Sequence, residues 1–494
     1  MNLLTDPWVP VQDASKTVLI SLQDVLTSDE DHQIVLPRDD MELACLQLLI
    51  CLTQVLFLPE DSGAWKRRIK TPLDADEYKA GIERYIDWFD LNHPEWPFMQ
   101  SRGVSAKKVT PIQKILIGLP AGTSSHAFFN GPGEIGQVSQ SVAAISLFNM
   151  ANNYSYGGGI KEGLRVVSQK SPITTLMSGH MLRRTIWFNV LHKESLLNIM
   201  PDYDRLKEND NPVWVEPIKP KSTFHAHEIG LIRGLFWQPA HIELAFSSGG
   251  ECDLLGVNTQ DALVSGFCIE KFGSYKTGGF DVEGRWIHPH SPRVLDLKKG
   301  EMKYLSFTTT APAWTQLDHL LLESKDDKQG YIPAEVVRQF KRDLMQSDQL
   351  IVGGYRNKQA SILQRRHELF PLRPGWDKNG QLFSQFVRMT LEIKTLLRNK
   401  LYGFAKSAGV PGLHDQAEAI YYHQSEPLIH QTLREIDWSK PGDRLRNLSN
   451  DLVDLSWRIF EQVARPYAHE PGMIKALAVA RTTLGRAFRK LRET

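Results

Sequence analysis

The chain has few cysteines, almost no net charge and no recognisable catalytic motif. The four cysteines among its 494 residues include no CxxC pair, which argues against a paired-cysteine zinc site and predicts a reduced, cytoplasmic protein. Lysine plus arginine (58) nearly cancels aspartate plus glutamate (57), so bulk charge cannot hold the chain on nucleic acid. Any such binding must come from local clusters of charge.

Long apolar runs are also missing. Residues 43–58 are uncharged, but they contain Gln47, Thr53 and Gln54 and fall short of the roughly 20 residues that span a bilayer. They predict a buried helix instead. The N-terminal sequence MNLLTDPWVP has no basic lead and is interrupted by prolines, so we expect neither a secretion signal nor a membrane partner.

Motifs of the common catalytic sites are absent as well. The sequence contains no GxxxxGK[ST], GxSxG or HExxH motif and no acidic triplet for paired metal ions, so we expect neither enzyme activity nor a cofactor. Two HxH pairs, His225/His227 and His288/His290, leave a metal-dependent nuclease or hydrolase as an alternative, since alternate strand residues face one side. No carboxylate or third histidine is placed to complete either pair, so we expect no metal.

The sequence does have enough apolar residues, 41% of the total, for two or three domain cores. In residues 1–375 short strand-like runs alternate with helical patches, which predicts one large mixed domain of the α+β class. A turn-rich segment at 371–380 then marks a change of composition. Residues 376–494 carry four amphipathic helical stripes joined by short Gly/Pro turns, and they predict an antiparallel four-helix bundle.

The segment 353–367, GGYRNKQASILQRRH, is a local basic cluster. Its basic side chains are Arg356, Lys358, Arg365 and Arg366, with no acid between Gly353 and Arg366. Gly353 and Gly354 allow the backbone to approach a bulky group, on which Tyr355 is placed to stack. Residues 361–367 predict the start of a helix. The alternative is an ordinary solvated turn before that helix.

Three other segments have residues suited to close approach of a ligand. They are the glycines Gly157, Gly158 and Gly159, the loop Phe128, Phe129 and Asn130, and Lys271 beside Phe272. Bare backbone amides, aromatic rings and a long cation together suit a nucleic-acid groove. Each segment also has an ordinary interpretation: a flexible connector, a hydrophobic loop anchor and a strand edge, respectively.

The last predicted helix has a basic outer face. Its cations are Lys475, Arg481, Arg486, Arg489, Lys490 and Arg492, set against Glu493 alone. Solvation is the usual role of such charges. A second basic surface would nevertheless complement the cluster at 353–367.

Long strings spread in order along the whole sequence resemble the CasA family, the large subunits of type I-E CRISPR Cascade complexes. Besides the FFN and GGG loops, these strings are LPRDDMEL (36–43), NHPEWPFMQ (92–100), RGLFWQPAHIEL (233–244), HPHSP (288–292), GGYRNKQAS (353–361) and PYAH (466–469). The resemblance implies a large mixed N-terminal domain followed by a C-terminal four-helix bundle.

The resemblance also implies recognition rather than catalysis. Members of the family read the protospacer-adjacent motif of double-stranded DNA from the minor groove and open the duplex, so that R-loop formation can begin. The implied partners are target DNA, the CRISPR guide RNA, the backbone, 5′-handle-binding and small Cascade subunits, and a recruited helicase-nuclease. A purely structural scaffold subunit is the second alternative.

Carried over residue by residue, the resemblance assigns roles to particular positions. It assigns motif recognition to Gly157, Gly158, Gly159, Lys271 and Ala360, and the duplex wedge to Lys358 and Gln359. It assigns docking on the guide and the other subunits to the loop Phe128, Phe129 and Asn130. Candidate contacts to the DNA backbone are Arg356, Arg481, Arg486 and Arg489. A lysine ammonium or a backbone amide suits the acceptors of the minor groove.

The sequence departs from the family pattern in two places. Lys358 stands where the family pattern has asparagine, which adds a cation beside the wedge. Ser139 and Val142 occupy the place of one cysteine pair that binds zinc in some relatives, and the second pair is missing. We therefore expect no zinc.

Overall fold

The structure, a computed structural model of the chain, describes all residues except 15, 105–107, 120–132, 155–162, 167–169, 220–221, 272–280, 345–347, 359–360 and 494. The side chains of residues 271, 281, 282, 492 and 493 also lie outside the description. Strands and helices mix in the N-terminal part, and the C-terminal part is helical. This confirms the predicted fold class.

The helices are α1 Leu22–Thr27, α2 Asp39–Leu56, α3 Ser62–Lys70, α4 Ala75–Ile82, α5 Gln140–Asn152, α6 Leu182–Phe188, α7 Lys193–Leu197, α8 Tyr203–Leu206, α9 Leu231–Leu235, α10 Leu317–Leu321, α11 Glu335–Asp343, α12 Gly380–Ala408, α13 Leu413–Glu435, α14 Gly442–Ala464 and α15 Pro471–Glu493. The strands are β1 Val9–Asp13, β2 Lys16–Ile20, β3 Thr110–Pro111, β4 Thr174–Ser178, β5 Thr223–His225, β6 Ala240–Ser247, β7 Gly250–Cys252, β8 Val257–Thr259, β9 Leu263–Lys271, β10 Asp281–Glu283, β11 Arg293–Asp296, β12 Glu301–Tyr304, β13 Ser324–Lys325, β14 Gln329–Ile332, β15 Asp348–Lys358 and β16 Ser361–Leu372.

The strands form small sheets of two to four members in the described part of the chain. β9 lies between β3 and β6 and pairs antiparallel with both, with Leu244 of β6 opposite Phe267. β11 lies between β12 and β14, also antiparallel. The sheet formed by β16, β15 and β4 carries the basic segment at 353–367.

The chain divides into two compact units. The first consists of Met1–Thr308, Lys325–Leu344 and Ile351–Glu368, and the second of Thr309–Ser324, Met345–Leu350 and Leu369–Thr494. The first unit contains the mixed sheets, and the second contains α12 to α15. Each unit has its own buried apolar core.

The second unit is built on the four long helices. α12 packs against α13, α14 and α15, and consecutive helices pack side by side across short connections, which makes the arrangement antiparallel. Inward positions of α12 recur at helical spacing, with Phe386, Ile393 and Leu397 all buried. α12 ends at Gly409, whose φ of 69° is the left-handed conformation that glycine adopts without strain.

In the first unit, α2 is the central buried helix. Almost all of its residues from Met41 to Leu56 are buried, as the uncharged run in the sequence predicted. It packs against α5 and α6. No helix in the described ranges is long and apolar enough to cross a membrane.

The prediction of a helix starting in residues 361–367 is wrong. These residues belong to β16, in which Leu363 is 50% exposed and Arg366 is buried. The local sequence suggested a helix start, but pairing with β15 across the sheet determines the conformation. Tertiary pairing therefore overrides the local signal.

Gly353 and Gly354 approach other parts of the chain itself. A Cβ on Gly353 would lie 2.2 Å from the side chain of Leu43 in α2, and one on Gly354 would lie 2.9 Å from the carbonyl oxygen of Pro172. Gly354 also has a φ of 139°, a backbone conformation that residues with a side chain rarely adopt. Both glycines thus pack β15 onto the unit's core.

Ile459→Ala in α14 is expected to lower the free energy of unfolding by about 2–5 kcal/mol, because it leaves a cavity in the bundle core. Ile459 is fully buried, whereas Ile474 in α15 is 52% exposed. The matched control Ile474→Ala is therefore expected to change stability by no more than about 0.5 kcal/mol. Chemical denaturation followed by far-UV circular dichroism measures the stability of both variants. Equal losses of stability would contradict the assignment of Ile459 to the bundle core.

Candidate nucleic-acid interface

β15 and β16 form a β-hairpin, since they are neighbours in one sheet and only residues 359–360 join them. Lys358 is the last residue of β15, and its side chain is exposed. The predicted wedge residue Gln359 and the predicted recognition residue Ala360 lie outside the described residues. The hairpin thus ends at the position where the sequence analysis placed the wedge.

Tyr355 anchors the hairpin to the core instead of stacking on a ligand. Its side chain is 2% exposed. The hydroxyl donates to Asp40 Oδ2 over 2.8 Å and accepts from Asn149 Nδ2 over 2.9 Å. Burial and the Asp40 carboxylate raise the pKa of Tyr355 well above its usual value, so the hydroxyl keeps its proton and remains a donor. The interpretation of Tyr355 as a stacking residue is therefore wrong.

Asp40, at the start of α2, is the acidic partner of this anchor. Arg38 donates to both of its carboxylate oxygens, over 3.0 and 2.8 Å, and also to the carbonyl oxygen of Ile117 over 2.5 Å. Arg365 of β16 donates to Asp40 Oδ1 over 3.1 Å. Two arginines and a tyrosine therefore satisfy a buried carboxylate and connect α2 to both strands of the hairpin.

The basic cluster exposes fewer unpaired cations to solvent than its sequence indicated. Arg365 is paired with Asp39 and Asp40. Arg366 is buried and lies over the ring of Phe307, 4.5 Å from the centroid. Burial, together with the neighbouring Arg356, lowers the pKa of Arg366. Arg356 is half-buried, which leaves Lys358 as the exposed cation at the end of β15.

The other residues predicted for motif recognition and docking lie largely outside the described chain. These are Gly157, Gly158, Gly159, Phe128, Phe129 and Asn130. Lys271 is the last residue of β9, where its backbone is paired opposite Ala240 of β6, but its side chain is not described. The residues that flank this segment, Tyr154 and Gly163, are described.

The predicted basic face of the last helix is present on α15, in the second unit. Arg481 donates to Glu461 Oε1 over 2.9 Å and also contacts Oε2. Arg486 and Arg489 are exposed, and neither forms an ion pair with any residue that the structure describes. These two arginines therefore have the side chains available for phosphate groups, whereas Arg481 is partly engaged.

The two HxH pairs have different environments. His225 and His227 are largely exposed, and His225 lies 3.2 Å from Glu283. His288 and His290 are buried beside Cys51 of α2, so that one ligand-type atom from each of the three residues lies within 4.8 Å of the others. Spacing in the sequence gave no indication of Cys51, because it is more than 200 residues away.

The two histidines of this buried cluster take part in the hydrogen bonding of the core. His288 Nδ1 accepts from the backbone N–H of His290 over 3.1 Å, and His290 Nδ1 lies 3.3 Å from Gln47 Nε2. Burial and the Arg165 guanidinium lower the pKa of both rings, to about 3 for His290. Burial strongly raises the pKa of the Cys51 thiol. Nδ1 of each ring thus faces a hydrogen-bond donor in the core, whereas Nε2 of His288 has no partner among the described residues.

Ser195, His192 and Asp343 have the composition of a catalytic triad but not its geometry. His192 Nε2 faces both Ser195 Oγ at 3.2 Å and Asp343 Oδ2 at 3.1 Å. A triad needs the serine and the carboxylate on opposite ring nitrogens. Here the other nitrogen, Nδ1, accepts from the Ser195 backbone N–H and caps α7. The cluster is a helix cap.

Comparisons with known proteins agree with this architecture. The sequence model of CRISPR-associated protein Cse1 matches residues 2–459. A CasA/Cse1 protein of Thermus thermophilus is 24% identical over 472 residues, which cover 90% of this chain and 84% of that protein. A solved CRISPR-associated protein from the same species superposes with a TM-score of 0.74 at 18% identity and covers 99% of both chains.

A chain from a solved CRISPR RNA-guided surveillance complex also has this fold. It superposes with a TM-score of 0.68 at 16% identity, covering 98% of this chain and 99% of that one. At such identities a structural match shows the fold alone. The sequence match over nearly the whole length carries the further conclusion that the chain belongs to the CRISPR-associated protein Cse1 (CasA) family.

Proposed function

We propose that the chain is the large subunit of a type I-E CRISPR RNA-guided surveillance complex, in which it recognises the protospacer-adjacent motif and starts opening of the duplex. The observation that supports this role best is the hairpin of β15 and β16. Tyr355, three residues before Lys358 in β15, is anchored to Asp40 of α2, and the exposed Lys358 is followed in the sequence by Gln359. A rigidly supported polar end is suited to entering a duplex.

Recognition takes place in the minor groove, which presents mainly acceptors to the protein. The ammonium of Lys271 and the backbone amides of Gly157, Gly158 and Gly159 supply donors, and Ala360 adds a small contact next to the wedge. Gln359 then enters below the motif and offers amide hydrogen bonds to displaced bases. These bonds offset an unstacking cost of a few kcal/mol per step.

Once one step is open, pairing with the guide RNA extends the R-loop, because the exchange of duplex for heteroduplex is close to balanced. Phe128, Phe129 and Asn130 dock the subunit on the guide RNA and on the backbone, 5′-handle-binding and small subunits. The opened target passes to a recruited helicase-nuclease. The role needs no cofactor, and it places the chain in the cytoplasm with its DNA.

Two observations support recognition over the alternative of a metal-dependent hydrolase. The His288/His290 pair is buried, out of reach of a substrate. The pair His225/His227 has Glu283 and Glu228 as acidic neighbours, but these four side chains do not form a convergent ligand cluster among the described residues. Exposed Arg486 and Arg489 favour DNA-backbone contact over a purely scaffolding role, since cations on such a face can neutralise phosphates.

Replacing Gln359 and Lys271 together with alanine is expected to slow opening of a motif-bearing target at least about tenfold, because each lost base contact costs about 1–3 kcal/mol. Assembly on the guide should be unchanged. Base-unstacking fluorescence reports opening, and native electrophoresis reports assembly. The control Lys298→Ala removes an exposed turn lysine of the same unit and should open the target normally. Normal opening by the double variant would refute the wedge assignment.

Replacing Arg486 and Arg489 with glutamine should weaken binding of the assembled complex to motif-bearing and motif-free DNA alike. The salt slope, log Kd against log salt, should fall by about 0.9 for each lost phosphate contact. Arg446→Gln is the matched control, because Arg446 is an exposed arginine on α14 of the same bundle. If the slopes of both variants equal that of the wild type, α15 makes no backbone contact and the scaffold alternative gains support.

A further inference from the structure

Arg165 joins the two ends of the glycine-containing segment 155–162. Its Nη1 donates to the carbonyl oxygen of Asn152 over 3.2 Å and to Asn153 Oδ1. Asn152 ends α5 just before the segment, and Arg165 follows three residues after it. One guanidinium therefore holds the entry and the exit of the segment together.

The remaining donors of Arg165 fix this clamp to the surrounding core. Nε donates to Ser291 Oγ over 2.8 Å, and Nη2 donates to Thr174 Oγ1 over 2.7 Å. The side chain is only 2% exposed, and every acceptor in the described part of the chain is neutral. Burial lowers its pKa to about 10, so the group stays charged at neutral pH. A buried cation without a carboxylate is costly, and it depends on this set of hydrogen bonds.

The same clamp connects to the base of the hairpin through a continuous chain of buried hydrogen bonds. Asn153 accepts from Arg165 and donates through Nδ2 to Asn149 Oδ1 over 3.0 Å. Asn149 donates to the hydroxyl of Tyr355 over 2.9 Å, and Tyr355 donates to Asp40. Every member is buried, so water does not compete for these bonds.

A second link lies beyond the segment. The backbone N–H of Ser171 donates to Asn357 Oδ1 over 3.2 Å, one residue before Lys358. The following strand, β4, pairs with β15, and Gly354 of β15 lies against Pro172. The chain that leaves the glycine segment is therefore attached along the hairpin.

We propose that Arg165 is a positioning residue that joins Asn152 and Asn153, which precede the glycine segment, to Tyr355 of the hairpin through Asn149. The inference rests on the proposed function of these two segments. Under that function the network couples motif recognition to duplex opening, because the described residues that lead into the two segments share its hydrogen bonds. A substitution that weakens these hydrogen bonds is therefore expected to uncouple motif recognition from duplex opening, although it removes no residue that contacts DNA.

The test measures motif discrimination by the guide-loaded complex, defined as the ratio of affinities for motif-bearing and motif-free targets. Arg165→Gln is expected to lower this ratio about tenfold, which corresponds to about 1.4 kcal/mol. Affinity for motif-free DNA and for a pre-opened target should stay within about twofold of wild type. Arg165→Lys, which keeps the charge but not the forked donors, should give an intermediate ratio.

Arg183→Gln is the matched control, because Arg183 is also a buried arginine of the first unit but binds Asp29 and the carbonyl oxygen of Arg68. It should lower stability and leave the ratio unchanged. Combined with Gln359→Ala, Arg165→Gln should add no further loss of the ratio, since the two residues act as one unit.

If Arg165→Gln does not assemble, Tyr355→Phe decides the question, because it removes one bond of the network and keeps the packing of the ring. A wild-type ratio for Tyr355→Phe and for any assembled Arg165 variant, alongside a reduced ratio for Gln359→Ala, overturns the positioning role and leaves the proposed function intact. A wild-type ratio for Gln359→Ala refutes the proposed function itself.

Discussion

The buried carboxylate of Asp40 is the constraint on which the hairpin depends. An acid that is 7% exposed is strongly destabilising unless its charge is paired and its oxygens are hydrogen-bonded. Arg38, Arg365 and Tyr355 meet that requirement from three parts of the chain. Satisfying one charge thus brings the start of α2 and both hairpin strands to a single point, and this explains why a segment rich in polar residues is held rigidly.

Patterns that are local in the sequence predicted much of the fold. The four helices of the second unit follow from apolar residues at helical spacing, and α2 follows from its uncharged run. The strand β16 does not follow from its local sequence, because its conformation depends on pairing with β15. Tyr355 was misread for the same reason: its partner Asp40 lies 315 residues away, and nothing in the residues around Tyr355 identifies that partner.

The residue types assigned to the candidate site come from the sequence and the family resemblance alone, whereas the contacts that support the hairpin come from the structure. Glycines, a lysine and a glutamine stand out in the sequence, and the family resemblance assigns their roles. Counting cations overstated the exposed net charge, because Arg365 is paired with Asp39 and Asp40 and Arg366 is buried against Phe307. The role of Arg165 was not predicted from the sequence, for the opposite reason. Its acceptors are carbonyl, amide and hydroxyl oxygens, so no complementary acid marks it in the sequence.

The close packing of Gly354 against Pro172 separates what can vary in this hairpin from what cannot. A side chain at Gly354 would collide with backbone, whereas Lys358 projects into solvent and tolerates other residues there. A substitution of Lys358 is therefore expected to cost little folding stability, whereas a side chain at Gly354 would be strongly destabilising. The exposed end of β15 can therefore vary in sequence independently of the glycine contacts that hold the strand against the rest of its unit.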